Sequence, residues 1–186
     1  MTMCKDSDDG RGQELSHSPA PFFSIIIPTW NRETTIVRCL ESILTQDCDD
    51  YEIIVVDDGS RDRTVEVVNR FAGEKLKLHT FSENRGVGPA RQAGSELARG
   101  RWQLYLDSDW ALEPGALGHL KSVAAELPDD VGVLGAYCHV QGGGLIPYPA
   151  PPTGPFGFVE YLRWLNPPVQ SDYLYAIRSE VIRQIP

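Results

Sequence analysis

The chain has 186 residues, with 17 Lys plus Arg against 26 Asp plus Glu and a formal net charge of −9. Hydrophobic residues make up 41% and charged residues 23%, a globular composition that excludes wholesale disorder and suits one domain. The acidic balance argues against a general nucleic-acid binder, so a polyanionic ligand has to be met by a local device: a metal ion, a helix N-terminus or an arginine.

Residues 1–21 are polar and rich in Asp, Gly, Ser and Pro. They lack the apolar stretch of a signal peptide and read as a disordered leader, with the domain over 22–186. Phe22 to Ile27 is an apolar run broken only by Ser24 and ended by Pro28, as suits a strand buried on both faces. Thr34 to Gln46 reads as a helix with Ile36, Val37, Leu40, Ile43 and Leu44 on its inner stripe. Glu52 to Val56 is a second buried strand. A helix with Val65, Val68 and Phe71 inward follows, then a weaker strand over Leu76 to Phe81. Pro89 to Arg99 reads as a helix with Pro in its first turn and a small inner face of Ala90, Ala93, Gly94 and Leu97. Trp102 to Leu106 is a fourth strand, Pro114 to Leu127 a fourth helix, and Val131 to Val140 a further strand. Nine of the 14 residues 142–155 are Gly or Pro, which predicts a flexible loop. Phe156 to Trp164 suggests a short helix, Tyr173 to Ile177 a strand, and Arg178 to Ile185 the start of another helix.

Strand and helix alternate four times, which specifies an α/β fold: a mostly parallel, Rossmann-like sheet with helices on both faces. No run approaches the roughly 20 apolar residues of a membrane span. The four cysteines, Cys4, Cys39, Cys48 and Cys138, form no C-x-x-C pair, so free thiols in a reducing compartment are expected. These absences suggest a cytoplasmic protein, with a peripheral place at the inner membrane face open to it.

Ligands on such sheets sit beyond the carboxyl ends of the strands. Three of those ends are polar: Pro28-Thr29-Trp30-Asn31, Asp57-Asp58-Gly59-Ser60 and Asp107-Ser108-Asp109. Carboxylates two residues apart on a turn repel unless a cation joins them, and Mg²⁺ or Mn²⁺ takes such oxygens while keeping places for phosphate. A solvated acidic turn is the plain alternative. Asp58 could accept a hydrogen bond from the N–H of a uracil-like ring, with Ser60 or Asp62 capping the next helix. Asn84 to Arg91 only superficially resembles a dinucleotide-binding glycine loop, because Arg91 stands where the third glycine belongs and Pro89 lacks an amide. Arg91 either lies beside an anion or salt-bridges the acidic turns.

Ser24-Ile25-Ile26-Ile27-Pro28-Thr29-Trp30-Asn31-Arg32, the Asp57-to-Ser60 turn, Asn84 to Gly94, and Leu106-Asp107-Ser108-Asp109 together resemble family 2 glycosyltransferases in order and spacing. The resemblance covers about Phe22 to Pro114, and Tyr173 to Ile185 resembles a segment that returns to the sheet late in that domain. It implies a GT-A fold and an inverting transfer from a nucleoside-diphosphate sugar, most often a UDP-sugar, to a hydroxyl of a glycan, lipid or protein acceptor, with Mn²⁺ or Mg²⁺. By position it puts Pro28 and Thr29 along the nucleotide, Asp58 at the base, Asn84 and Arg91 in the nucleoside pocket, Asp107 near the ribose and sugar, and Asp109 on the metal, with Asp107 beside it.

Gln92 stands where the family often has Asn, and Trp110, read as packing rather than stacking on a sugar, where it often has an acidic residue. The family's general base lies in an acidic motif that follows the segment resembling Tyr173 to Ile185. The resemblance therefore puts the base beyond Pro186; no residue here matches it, and Asp172 is misplaced for it. The expectation is a donor-binding half with an incomplete acceptor half, whose alternative is an inactive nucleotide-sugar-binding remnant. A response-regulator receiver, a phosphoacceptor module, would need a lysine on a later strand, and the only lysine after Asp109 is Lys121, in the fourth predicted helix.

Overall fold

The computed structural model describes residues 19–129, 131–137 and 173–184. The predicted leader (apart from residues 19–21), the 142–155 loop, the Phe156–Trp164 helix, Asp172, Cys4, Cys138 and Pro186 lie outside them.

Strand β1 (Phe23–Thr29) and strand β2 (Tyr51–Asp57) are buried along their whole length. They pair in parallel from Phe23 opposite Tyr51 to Thr29 opposite Asp57. Strand β3 (Leu76–Thr80) pairs in parallel outside β2, and strand β4 (Trp102–Tyr105) in parallel on the other side of β1. Strands β5 (Val133–Tyr137) and β6 (Tyr173–Arg178) complete the sheet in the order β3-β2-β1-β4-β6-β5. The sheet is mostly parallel as predicted; β6 runs antiparallel to both neighbours.

The apolar runs have no alternation because each face of the sheet is covered. Helices α1 (Ile36–Leu44), α2 (Thr64–Asn69) and α4 (Ala116–Glu126) pack residues such as Leu40, Val68 and Leu117 into one core with Ile25, Ile27, Ile53 and Val55. Helix α3 (Val87–Leu97) covers the other face, where Ala90 meets Ile54 and Val56. A Cβ on Gly94 would collide with the Ile26 side chain, so the small face of α3 does bring helix and sheet into close contact.

Three predicted inner positions are displaced. Cys39 is fully buried while Leu44 is exposed; Val67, not Val65, packs on the core beside Phe71; and Leu97 lies outside at the end of α3. Leu44 and Leu97 are the last residues of α1 and α3, where a stripe read from spacing overruns the helix's contact with the sheet; Val65 lies in the first turn of α2. Helix α5 (Ser179–Ile182) begins one residue later than predicted, because Arg178 is the last residue of β6. Its buried guanidinium lies 4.8 Å from the Trp102 ring and donates to the carbonyls of Pro128 and Val131.

The amino ends of the strands are held by a buried carboxylate. Glu52 is 3% exposed. It accepts from the Ser24 hydroxyl at 2.8 Å, the Arg99 amide at 2.8 Å, the Arg99 guanidinium at 3.0 Å and Lys77 Nζ at 3.1 Å. Burial alone would push its carboxyl up; the amide, hydroxyl and two cations outweigh burial and hold it below its ordinary 4.5. A group depressed in the folded state stabilises the fold above its unfolded pKa, and that contribution goes as pH falls through the folded value. Glu52→Gln should therefore cost about 2–3 kcal/mol at neutral pH, and urea midpoints should show wild type losing more stability than the variant between about pH 5 and pH 3. Equal losses in both proteins would contradict this.

Candidate donor-binding site

The order of the strands creates the site. The chain leaves β1 through α1 towards β2 and β3, then returns across β1 through α3 to β4. Connections on the two sides of β1 diverge, leaving a crevice at the carboxyl ends. A cleft of about 360 Å³ lies there, lined by Pro28 and Thr29 at the end of β1, Trp30 and Arg32 beyond it, Asp58 after β2, Asn84 and Gly86 before α3 and Val87 at its start, and Asp107, Ser108 and Asp109 after β4.

The first two loops are laced together. The Asn31 amide donates to Ser60 Oγ at 2.8 Å, the Arg61 amide to Asn31 Oδ1 at 2.8 Å, and the Arg32 amide to Thr64 Oγ1 at 2.8 Å. Asn31 has φ +51°, a left-handed conformation that asparagine tolerates better than most residues. Ser60 is thus a cross-loop bridge, not the cap of α2. Asp62 accepts from the Thr64 amide at 2.9 Å at the entry to that helix.

Asp58 is 4% exposed. Its two oxygens accept from the Arg85 amide at 2.7 Å and the Gly86 amide at 2.8 Å. It therefore folds the loop before α3 against the end of β2. Each oxygen keeps a further lone pair. Gly59 makes the contact possible: its φ is +71°, and a Cβ there would sit 2.5 Å from the backbone of Glu83.

Asp107 and Asp109 are both about half exposed, and each faces an arginine. Arg91 reaches Asp107 Oδ1 at 2.9 Å, and Arg32 lies 3.7 Å from Asp109 Oδ2. Arg38 donates to the Asp109 carbonyl at 2.9 Å and ties the acidic turn to α1. The Cys39 thiol lies 3.8 Å from the Asp107 carbonyl. Burial, then the nearby Asp109 charge, pushes it up to about 12, so it stays a neutral thiol. Cys39 and Cys48 are both free. Trp110 packs at the edge of the main core.

Pro28, Thr29, Asp58, Asn84, Asp107 and Asp109 thus border one cleft, and Arg91 joins it through Asp107. Of the two openings for Arg91, the ion pair with an acidic turn is the contact present. The carboxylates at the cleft are engaged with amides or arginines, and the position that the resemblance gives the general base, beyond Pro186, lies outside the described residues. Sequence reasoning gave no role to Arg32 or Trp30. Trp30 is 48% exposed at the cleft wall, and its signal was available: an indole placed on a polar loop at a strand end has no core to enter.

Comparisons with known proteins bear on the family and the fold. The family model for glycosyl transferase family 2 matches residues 24–185. The chain belongs to that family. A PGL/p-HBAD biosynthesis glycosyltransferase of Mycobacterium bovis is 45% identical over 96 residues, which are 50% of this chain and 37% of that protein. The succinoglycan biosynthesis protein ExoO of Rhizobium meliloti is 40% identical over 97 residues, 52% of this chain and 28% of that one. The matched part of this chain thus spans about a third of these curated relatives. Among solved structures, S. aureus TarS 1-349 in complex with UDP-GlcNAc is 34% identical with a TM-score of 0.51, covering 55% of this chain and 30% of that one. The mannosyltransferase PcManGT from Pyrobaculum calidifontis, in complex with GDP-Man and Mn²⁺, has a TM-score of 0.65 at 22% identity over 89% of this chain and 47% of that one. The fold of the present chain is of the GT-A type. Among the described residues no helix is long and apolar enough to cross a membrane.

The clamp by Asp58 is open to test. Asp58→Ala should lower stability by about 1–3 kcal/mol, since two amides lose a charged acceptor. Hydrogen exchange at the Arg85 and Gly86 amides should speed up more than at β1 amides. Unchanged exchange at those two positions would refute the clamp.

Proposed function

We propose that this domain binds a nucleoside-diphosphate sugar, a UDP-sugar by preference, and serves transfer of the sugar to an acceptor hydroxyl with inversion at the anomeric carbon. The observation that carries this reading is the convergence of Asp58, Asn84, Asp107 and Asp109 on one cleft at the switch point of the sheet. The UDP-GlcNAc complex of TarS supports the donor class.

The chain's own residues divide the work. Trp30 offers an exposed aromatic face for a base, and the free lone pairs of Asp58 offer an acceptor for a ring N–H. Pro28 and Thr29 present backbone along the nucleoside, and Asn84 lines the same cleft. The Thr29 hydroxyl is buried without a partner, a donor for which a ligand oxygen would compensate. Arg91 holds Asp107 in place beside the ribose and sugar.

A divalent cation, Mn²⁺ or Mg²⁺, fits the donor set at the acidic turn. Among the described residues no three His, Cys, Asp or Glu side chains are grouped to hold a metal. Asp109, with Asp107 beside it, would supply the one or two carboxylates that a Mg²⁺-type site takes. Such an ion would supply positive charge against the charge gathering on the departing diphosphate, which a protein of net charge −9 is otherwise poorly equipped to provide. The acceptor hydroxyl gives its proton to a carboxylate base as the new glycosidic bond forms and the bond to the diphosphate breaks.

Calorimetry with UDP, with and without Mn²⁺, on wild type and Asp109→Ala tests this reading. Mn²⁺ should tighten wild-type binding by about tenfold, roughly 1.4 kcal/mol, and the substitution should abolish that gain. Equal affinities in all four titrations would remove the cation from the account. Release of UDP from a UDP-sugar above background then distinguishes an enzyme from a domain that only binds.

A further inference from the structure

We propose that Arg32 is an exchangeable counterion: in the free protein it neutralises Asp109, and when a sugar nucleotide arrives it moves to the diphosphate, releasing Asp109 to the cation. The inference rests on the donor-site reading above and adds an order of events to it.

Four observations carry it. Arg32 and Asp109 both line the cleft and stand 3.7 Å apart, with their side chains 44% and 46% exposed. The pair is loose, beyond direct hydrogen-bonding distance, so either member can leave it at small cost. Its companion is different: Arg91 reaches Asp107 at 2.9 Å from one helical turn inside α3, a contact suited to staying. The backbone of Arg32 is fixed independently, by its amide to Thr64 Oγ1, so the side chain can swing without disturbing the loop. The third nearby cation, Arg38, is engaged with the Asp109 carbonyl and anchors the turn while the exchange takes place.

The consequence is ordered, mutually reinforcing binding. With Arg32 on Asp109, a cation arriving alone meets a carboxylate already balanced by a positive charge. With diphosphate present, Arg32 gains a dianionic partner and the carboxylate becomes a metal ligand. Each ligand therefore tightens the other, and the coupling is reciprocal.

Arg32→Ala separates these effects. Titration of Mn²⁺ alone, followed by electron paramagnetic resonance, should show the variant binding Mn²⁺ about tenfold more tightly than wild type, from loss of one charge near 4 Å in a partly exposed site. Metal-free calorimetry should show UDP binding weakened severalfold and uridine binding unchanged, because uridine has no diphosphate. Arg32→Lys, which keeps the charge, should behave like wild type towards Mn²⁺. Adding Asp109→Ala to Arg32→Ala should cancel the gained Mn²⁺ affinity; if the gain persists, the cation lies elsewhere and the donor-site reading itself fails. If Arg32→Ala binds Mn²⁺ no better than wild type, or weakens uridine as much as UDP, the exchange is overturned while the donor site stands.

Discussion

Strands β1 and β2 end side by side, Thr29 opposite Asp57, and the site depends on that register. Both strands are buried on both faces, so a slip by one residue would expose the Ile25–Ile27 and Ile53–Val56 sets to the wrong layers. The register brings the loops after Thr29 and Asp57 to the same height. Only then can Asn31 meet Ser60 and Arg61, and Arg32 meet Thr64. Asp58 extends the arrangement to the third loop by holding the Arg85 and Gly86 amides. The walls of the cleft are therefore rigid consequences of strand pairing.

Charge is managed differently at the two ends of the sheet. At the amino ends, Glu52 is buried and fully engaged by hydroxyl, amide and two cations. Its partners leave nothing for a ligand, and its role is to hold the sheet. At the carboxyl ends, Asp107 and Asp109 remain half exposed and are balanced by one arginine each. The Arg32–Asp109 pair, at 3.7 Å, is the looser of the two and gives up its partner at small cost, whereas Arg91 holds Asp107 at 2.9 Å. A protein with 26 acidic and 17 basic side chains can thus admit a polyanion where its own cations are already concentrated.

Much of this was legible in the sequence because it rests on local patterns. Runs in 22–27 and 52–56 that are apolar but for Ser24 and Glu52 gave the buried strands, and polar residues placed just beyond them gave the cleft. The small face of α3 followed from Ala90, Ala93 and Gly94. What escaped depended on contacts between distant segments. Ser60 looked like a helix cap because its spacing to α2 allows one, yet the nearer need was the Asn31 amide across the loop. Arg32 carried no local signal, since its significance lies in a pairing with a residue 77 positions away. Leu44 and Leu97 were assigned inward by periodicity, which cannot say where a helix leaves the sheet. The reversed direction of β6 likewise depends on its long-range pairing with β4 and β5.

The most direct measurement of the central claim is paramagnetic broadening of backbone amide signals by substoichiometric Mn²⁺ in the presence of UDP. Broadening should centre on Asp107 to Asp109 and reach Gly86, Asp58 and Thr29, leaving the Glu52 end of the sheet untouched. Broadening centred on another acidic stretch, such as Asp47 to Asp50, would contradict a cation and sugar nucleotide held together at the carboxyl ends of these strands.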